Sequence, residues 1–204
     1  RRTPATSSKS GNRKRSNGNS SAALAEIEDI SKSWLNTKRW DDRCSHLSRL
    51  TTTLSANPDV LIRKLFVVMD VYQAGVGDSN TKVSAQALRS LTSVIRLCGN
   101  TIAKALHLLM PTFCQVAGGK NGQVQKLCAS LLDAIGENLP PAQTVVALTT
   151  SVDKYCKSDT ARALLLRKVS SILESKLNGT DAKFDASIGK IAHKKLIPLS
   201  FKLL

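Results

Sequence analysis

The sequence predicts an all-α solenoid of stacked helix pairs, and three observations carry that prediction. The polar, turn-forming stretch Gly77-Asp78-Ser79-Asn80-Thr81-Lys82-Val83 returns as Gly118-Gly119-Lys120-Asn121-Gly122-Gln123-Val124, a shift of 41 residues. The same shift carries an apolar pattern with it. It takes Val83 to Val124, Ala87 to Cys128, Leu91 to Leu132 and Val94 to Ile135, and it takes Leu88, Leu91 and Ile95 back to Leu47, Leu50 and Leu54. Carried forward, it places Val124, Cys128 and Leu132 on Leu165, Val169 and Leu173. The third observation is compositional: aromatics are 4 % of the chain, so its core must be built mostly from Leu, Ala and Val. A period of about 40 residues made of two helices is the mark of HEAT or armadillo-type repeats. Each pair buries its apolar face against the next, which suits small aliphatic side chains.

Charge divides the chain. Residues 1–21 hold six of the 30 basic residues and no acid, leaving 24 basic against 15 acidic residues in the remainder. The first 21 residues lack apolar periodicity and read as a disordered basic linker, free to contact a polyanionic surface. Residues 22–204 read as one repeat domain whose own positive charge favours an acidic partner. No run of 18 apolar residues occurs, so no membrane span is expected. The chain does not begin with Met and reads as a piece of a longer protein. Its five cysteines show no CxxC spacing and read as small buried thiols in a reducing, cytoplasmic setting, not as metal ligands or disulfides.

The elements follow in order. Ser20 or Ser21 caps a first helix with Leu24, Ile27, Ile30 and Trp34 on one face. After Asn36-Thr37-Lys38-Arg39, Trp40 leads into a helix carrying Cys44, Leu47, Leu50 and Leu54. Asn57-Pro58-Asp59 opens a helix that is apolar nearly all round, as expected of one sandwiched between neighbours. The next helix spans 82–98, with Gly99-Asn100 as a stop and restart. The segment 101–117 follows, kinked or split at Pro111. Helices over 124–135, 143–155 and 161–177 come next, and a less regular helical segment over 186–204 closes the chain.

Function is expected on one edge. Loops inside each helix pair emerge together, making a long shallow strip suited to a large partner. The first presents Lys38, Arg39 and Trp40; the second Asp78, Asn80 and Lys82; the third Lys120, Asn121 and Gln123; the fourth Lys157, Ser158 and Arg162. A last candidate offers Lys190, Lys194 and Lys195. Trp40 lies outside any apolar stripe, among charged residues, and reads either as a hydrophobic anchor for a partner or as a cap folded back on the first repeat. Asn80 and Asn121 read equally as contacts and as turn residues. Trp34 continues an apolar face and reads as core. Catalysis is not expected: His46, His107 and His193 fall in different repeats without a carboxylate or thiol at catalytic spacing, and the glycine-rich loop lacks a P-loop ending. No cofactor or metal is implied. Nucleic-acid binding has charge in its favour but neither aromatic platforms nor a recognition helix.

The run Trp40-Asp41-Asp42-Arg43-Cys44-Ser45-His46-Leu47-Ser48-Arg49-Leu50 resembles the W-x-x-R-x-x-A-L-x-x-L opening of a TOG domain, as found in the tumour-overexpressed-gene, CLASP and crescerin-type microtubule regulators. Asp78 to Val83, followed by Ala87-Leu88-Arg89-Ser90-Leu91, resembles that family's second loop and the helix after it. The likeness covers about residues 22–204. It implies a flat paddle of about six HEAT repeats that binds curved αβ-tubulin at a microtubule, spindle or cilium, among other cytoskeletal or ciliary proteins. By that resemblance Trp40 would pack on β-tubulin. Lys82 and Val83 would serve the second loop, Lys120 the third, and Lys157 or Arg162 the fourth, while Arg39, Asn80, Asn121 and Lys194 share their edge. The chain departs from the pattern at His46, where a small residue is usual, and at its glycine-rich third loop. A HEAT scaffold for another acidic protein is the competing reading.

Overall fold

The computed structural model describes residues 12–177, with side chains over 19–175. Within that range there are eight α-helices: α1 (Asn12–Asn36), α2 (Trp40–Ala56), α3 (Val60–Val76), α4 (Thr81–Ile102), α5 (Leu106–Ala117), α6 (Gly122–Asn138), α7 (Pro141–Tyr155) and α8 (Asp159–Leu177). One 3₁₀ turn, Ala103–Ala105, joins α4 to α5. Odd-numbered helices pack on odd and even on even: α1 on α3, α3 on α5, α5 on α7, and likewise α2 on α4, α4 on α6, α6 on α8. The described residues therefore form two layers of helices, built from four consecutive hairpin pairs, with the core between the layers. This is the expected all-α repeat solenoid, with four helix pairs among the described residues where about six were expected. The further helical segment at 186–204, with Lys190, Lys194 and Lys195, lies outside the described residues.

The repeat is visible in the helix starts. The even helices begin at Trp40, Thr81, Gly122 and Asp159, at intervals of 41, 41 and 37 residues. The last interval is shorter by four residues, about one helical turn. Register on the buried face survives that deletion, so Leu165 and Val169 are still fully buried.

Apolar spacing accounts for most of the core. Ala23, Ile27, Ile30 and Trp34 form the inward stripe of α1, and Leu47, Leu50 and Leu54 that of α2. In the even layer α4 is central, flanked by α2 and α6 and covered by α3; Val83, Ala87, Leu88, Leu91, Val94 and Ile95 are all completely buried. Two buried hydroxyls on α4 are satisfied by backbone: Ser84 donates to the Val76 carbonyl at 2.8 Å and Thr92 to that of Leu88 at 2.7 Å. The Tyr72 hydroxyl, the deepest polar group of α3, meets Thr51 Oγ1 at 3.1 Å. Salt bridges from Arg49 to Glu26 and Asp29, and from Lys64 to Glu28, tie the first pair together and to α3.

Four local expectations need correction. Helix α1 begins at Asn12, ahead of Ser20 and Ser21, so part of the basic stretch is helical; once a helix is anchored downstream, each added residue avoids the nucleation cost. Helix α3 is not covered all round. Ile62 and Phe66 are 67 % and 61 % exposed, because a helix in an outer layer keeps one face toward solvent whatever its sequence. The expected stop and restart at Gly99-Asn100 falls one residue earlier, where Cys98 leaves helical geometry (φ −130°, ψ 25°) and kinks α4. Pro111 lies inside α5 without splitting it; the departure from helical geometry is at Ala105 (φ −115°, ψ 7°).

All five cysteines are free thiols, with Cys114, Cys128 and Cys156 buried and Cys44 and Cys98 half-buried. No helix among the described residues is long and apolar enough to cross a membrane.

Candidate partner-binding edge

Each hairpin pair runs from the odd layer to the even one through a short loop: 37–39, 77–80, 118–121 and 156–158. Because helices within a layer lie side by side, all four loops emerge along one edge. The described residues among those expected to form a strip lie on these loops or at the helix starts that follow them, and their environments sort them.

Trp40 is the first residue of α2 and is 44 % exposed. It neither folds into the core nor stands alone. The Lys82 ammonium, one residue into α4, lies 4.3 Å from the ring centroid. A cation over an indole face at an exposed site contributes about 0.5–1 kcal/mol, enough to orient both side chains and to present them as one amphipathic patch. Next to it is an open cavity of about 340 Å³ lined by Lys38, Arg39, Trp40, Asp41, Arg43 and the second loop. Arg39 is not free charge: its guanidinium meets Asp41 Oδ2 at 2.6 Å and Asp42 at 3.8 Å. The Asp41 carboxyl is in turn held below the ordinary carboxylate range, chiefly by the bond from Arg39.

The patch stands on a scaffold that the sequence reading did not single out. Arg43, one turn after Trp40, donates to the Thr37 carbonyl at 2.9 Å, stacks 5.8 Å from the Trp34 ring, and forms an ion pair with Asp78. Asp78 was expected as a presented loop residue, yet its side chain is only 3 % exposed. Its second oxygen accepts from the Asn80 amide at 2.8 Å. Asn80 Oδ1 then caps α4 by accepting from Lys82 N at 2.9 Å. One chain of bonds therefore runs from the first loop through Arg43 and Asp78 to the start of α4, and sets where Lys82 meets Trp40. The signal available in sequence was an Arg on the turn after a loop Trp and an acid opening the next loop.

His46 has a comparable role. Thr37 Oγ1 gives its proton to the Ser33 carbonyl at 2.7 Å, so the 3.2 Å contact with His46 Nε2 requires that nitrogen to be the donor. The imidazole thereby pins the first loop, which a small residue at that place would leave unpinned.

Farther along the edge, Asn121 accepts from Gln123 N and Val124 N at 3.0 and 3.1 Å. Both asparagines are thus helix caps at the same phase of the repeat, which satisfies otherwise orphaned amides. Asn121→Ala is expected to lower stability by about 1 kcal/mol, read as a shift of the urea midpoint at unchanged slope. Lys120 projects from the third loop and Lys157 from the fourth, both exposed. Arg162 is committed inward: it bonds Asp159 Oδ1 at 2.7 Å and the Cys156 carbonyl at 3.3 Å, closing the fourth loop. Val83 is a correction. It is completely buried, because the third residue of α4 already faces the core, and it supports the edge without contributing surface. Lys194 lies outside the described residues. Among the described residues the cations of the edge that form no ion pair are Lys38, Lys82, Lys120 and Lys157.

Comparison with known proteins adds one relationship. No protein-family model matches the chain. The chain is 22 % identical over 116 residues to human TOG array regulator of axonemal microtubules protein 1 (Homo sapiens), an alignment covering 56 % of this chain and 7 % of that protein. It is 21 % identical over 116 residues to the mouse protein of the same name (Mus musculus), covering 56 % of this chain and 6 % of that one. The chain thus spans only a small fraction of the length of the curated relatives it matches, and over about half of its own length it is similar to proteins named as regulators of axonemal microtubules.

Proposed function

We propose that this chain is a non-catalytic TOG-like domain that binds αβ-tubulin through its loop edge, as part of a regulator of microtubule dynamics at the cytoskeleton. The observation that carries the reading is the half-exposed Trp40 with Lys82 stacked on it, at the head of a strip that, among the described residues, presents Lys38, Lys120 and Lys157 outside any ion pair. Tubulin offers a large, acidic, apolar-patched surface that such a strip fits, and the names of the relatives point the same way. A protein of this kind acts by affinity alone. It concentrates tubulin at a polymer end, or favours one tubulin curvature over another, and needs neither a cofactor nor a bond-making group.

The test is sedimentation or size-exclusion binding of the full chain to αβ-tubulin, beside Trp40→Glu, at low and moderate salt. The parent is expected to bind. Trp40→Glu should weaken binding by about 30-fold or more, the loss of a hot-spot contact of about 2 kcal/mol. Added salt should weaken the parent too, since exposed charges are screened beyond about 8–10 Å. A folded parent that fails to bind tubulin or microtubules moves the reading to a HEAT scaffold for another acidic protein. Binding unaffected by Trp40→Glu removes Trp40 as the anchor.

A further inference from the structure

We propose that the outer face of α3 is a self-association surface: two copies of this chain pair antiparallel about Phe66, with Arg63 of each copy facing Asp70 of the other. Helix α3 lies between α1 and α5 in the odd layer and rests on α4. Its remaining side is open. Ile62 and Phe66, one turn apart on that side, are 67 % and 61 % exposed. Arg63 and Asp70 are exposed as well. A kink at Lys64 (φ −124°, ψ 22°) separates Arg63 from Phe66 without turning either inward.

The charges on this face lack partners within the molecule. Helix α3 carries three charged residues, Arg63, Lys64 and Asp70. Lys64 is committed to Glu28 of α1. Among the described residues Arg63 and Asp70 form no ion pair. They stand about 10 Å from each other along the helix axis, so they do not neutralise one another.

The charge pattern selects the occupant. Arg63 precedes Phe66 by about one turn and Asp70 follows it by about one turn. A two-fold axis at Phe66 that sets one α3 antiparallel to another therefore brings Arg63 over Asp70 twice. The two Phe66 rings are enclosed between those ion pairs, and each Ile62 packs on the facing helix. A parallel arrangement would set Arg63 against Arg63 and Asp70 against Asp70, so charge fixes the direction. The contact is isologous and closes at two copies. One helix face is smaller than the roughly 1,200–2,000 Å² of a stable interface, so the dimer should be reversible and concentration-dependent. Phe66 lies about 15 Å along the axis from the end of α3 at Val76, which leaves the loop edge of each copy free.

The experiment is sedimentation velocity of the full chain over graded concentrations. Each copy carries a formal charge of +15, so the runs use moderate salt, which screens repulsion beyond about 8–10 Å. The sedimentation coefficient of the parent is expected to rise with concentration and level off at that of a dimer. Phe66→Asp should weaken association by about 30-fold or more, as the loss of a central apolar contact. Arg63→Asp and Asp70→Arg should each weaken it by about tenfold or more, since each sets like charges face to face twice. The double variant Arg63→Asp with Asp70→Arg should return to near the parent, because the pairs re-form with their signs exchanged. Trp40→Glu, on the loop edge, should associate like the parent. All three α3 positions are exposed, so the variants are expected to fold, as far-UV circular dichroism can check; if one does not, the others still decide. A parent that stays monomeric at every concentration overturns the proposal. So does growth past a dimer, association unchanged by Phe66→Asp, or a double variant no better than its single ones.

Discussion

Asp78→Ala is expected to lower unfolding stability by about 3 kcal/mol and to weaken partner binding in the molecules that remain folded. The change removes the buried partner of Arg43, whose own side chain is 30 % exposed, and deletes the acceptor for the Asn80 amide. Losing one member of a buried ion pair typically costs 3–5 kcal/mol, because the other charge is left desolvated and alone. Partial exposure of Arg43 and its remaining bond to the Thr37 carbonyl hold the cost to the lower end. Urea unfolding reads this as a lower midpoint. The double variant Arg43→Met with Asp78→Ala should recover part of the loss, since no unpaired charge then remains. A drop below about 1 kcal/mol for the single variant would mean that the pair is screened like a surface bridge and does not organise the edge. The binding effect arises from position. Without Asp78 the second loop loses its tie to the first, and Asn80, which still caps Lys82 N, is no longer held in place relative to Trp40.

Gly99→Ala is expected to cost about 3 kcal/mol, at the upper end of what overpacking produces. A Cβ at this position would fall 2.3 Å from the Asn138 carbonyl oxygen and 2.9 Å from its carbonyl carbon. These are backbone atoms at the end of α6, so no rotamer change relieves the clash. The end of α4, already kinked at Cys98, must move away from α6, and those two helices share the most extensive contact in the even layer. Gly122→Ala is the control. Nothing lies within 4 Å of a Cβ there, and alanine at the first residue of α6 should be neutral or stabilising by up to about 1 kcal/mol. Equal effects of the two substitutions in thermal or urea unfolding would show that helix propensity, not the close approach, governs Gly99.

The sequence by itself determined the helices, the period and the edge. Helical spacing of Leu, Ile and Val names the buried face of each element, because a helix can bury only what lies on one stripe. Asn80 and Asn121, one period apart, mark the starts of α4 and α6 because a short polar side chain there satisfies amides that the helix cannot. Alternation of odd and even helices then forces all intra-pair loops to one side.

Tertiary structure decided which edge residues are surface and which are support. Val83, Asp78 and Arg162 look like neighbours of Lys82 and Lys157 in the sequence, yet one is core, one is a buried anion and one closes its own loop. Residue type and local spacing do not carry this difference. For Asp78 it depends on a partner that another repeat supplies from 35 residues away, Arg43. A charged side chain is exposed or buried according to whether such a partner offsets its desolvation, and only the packed fold brings the partner within reach.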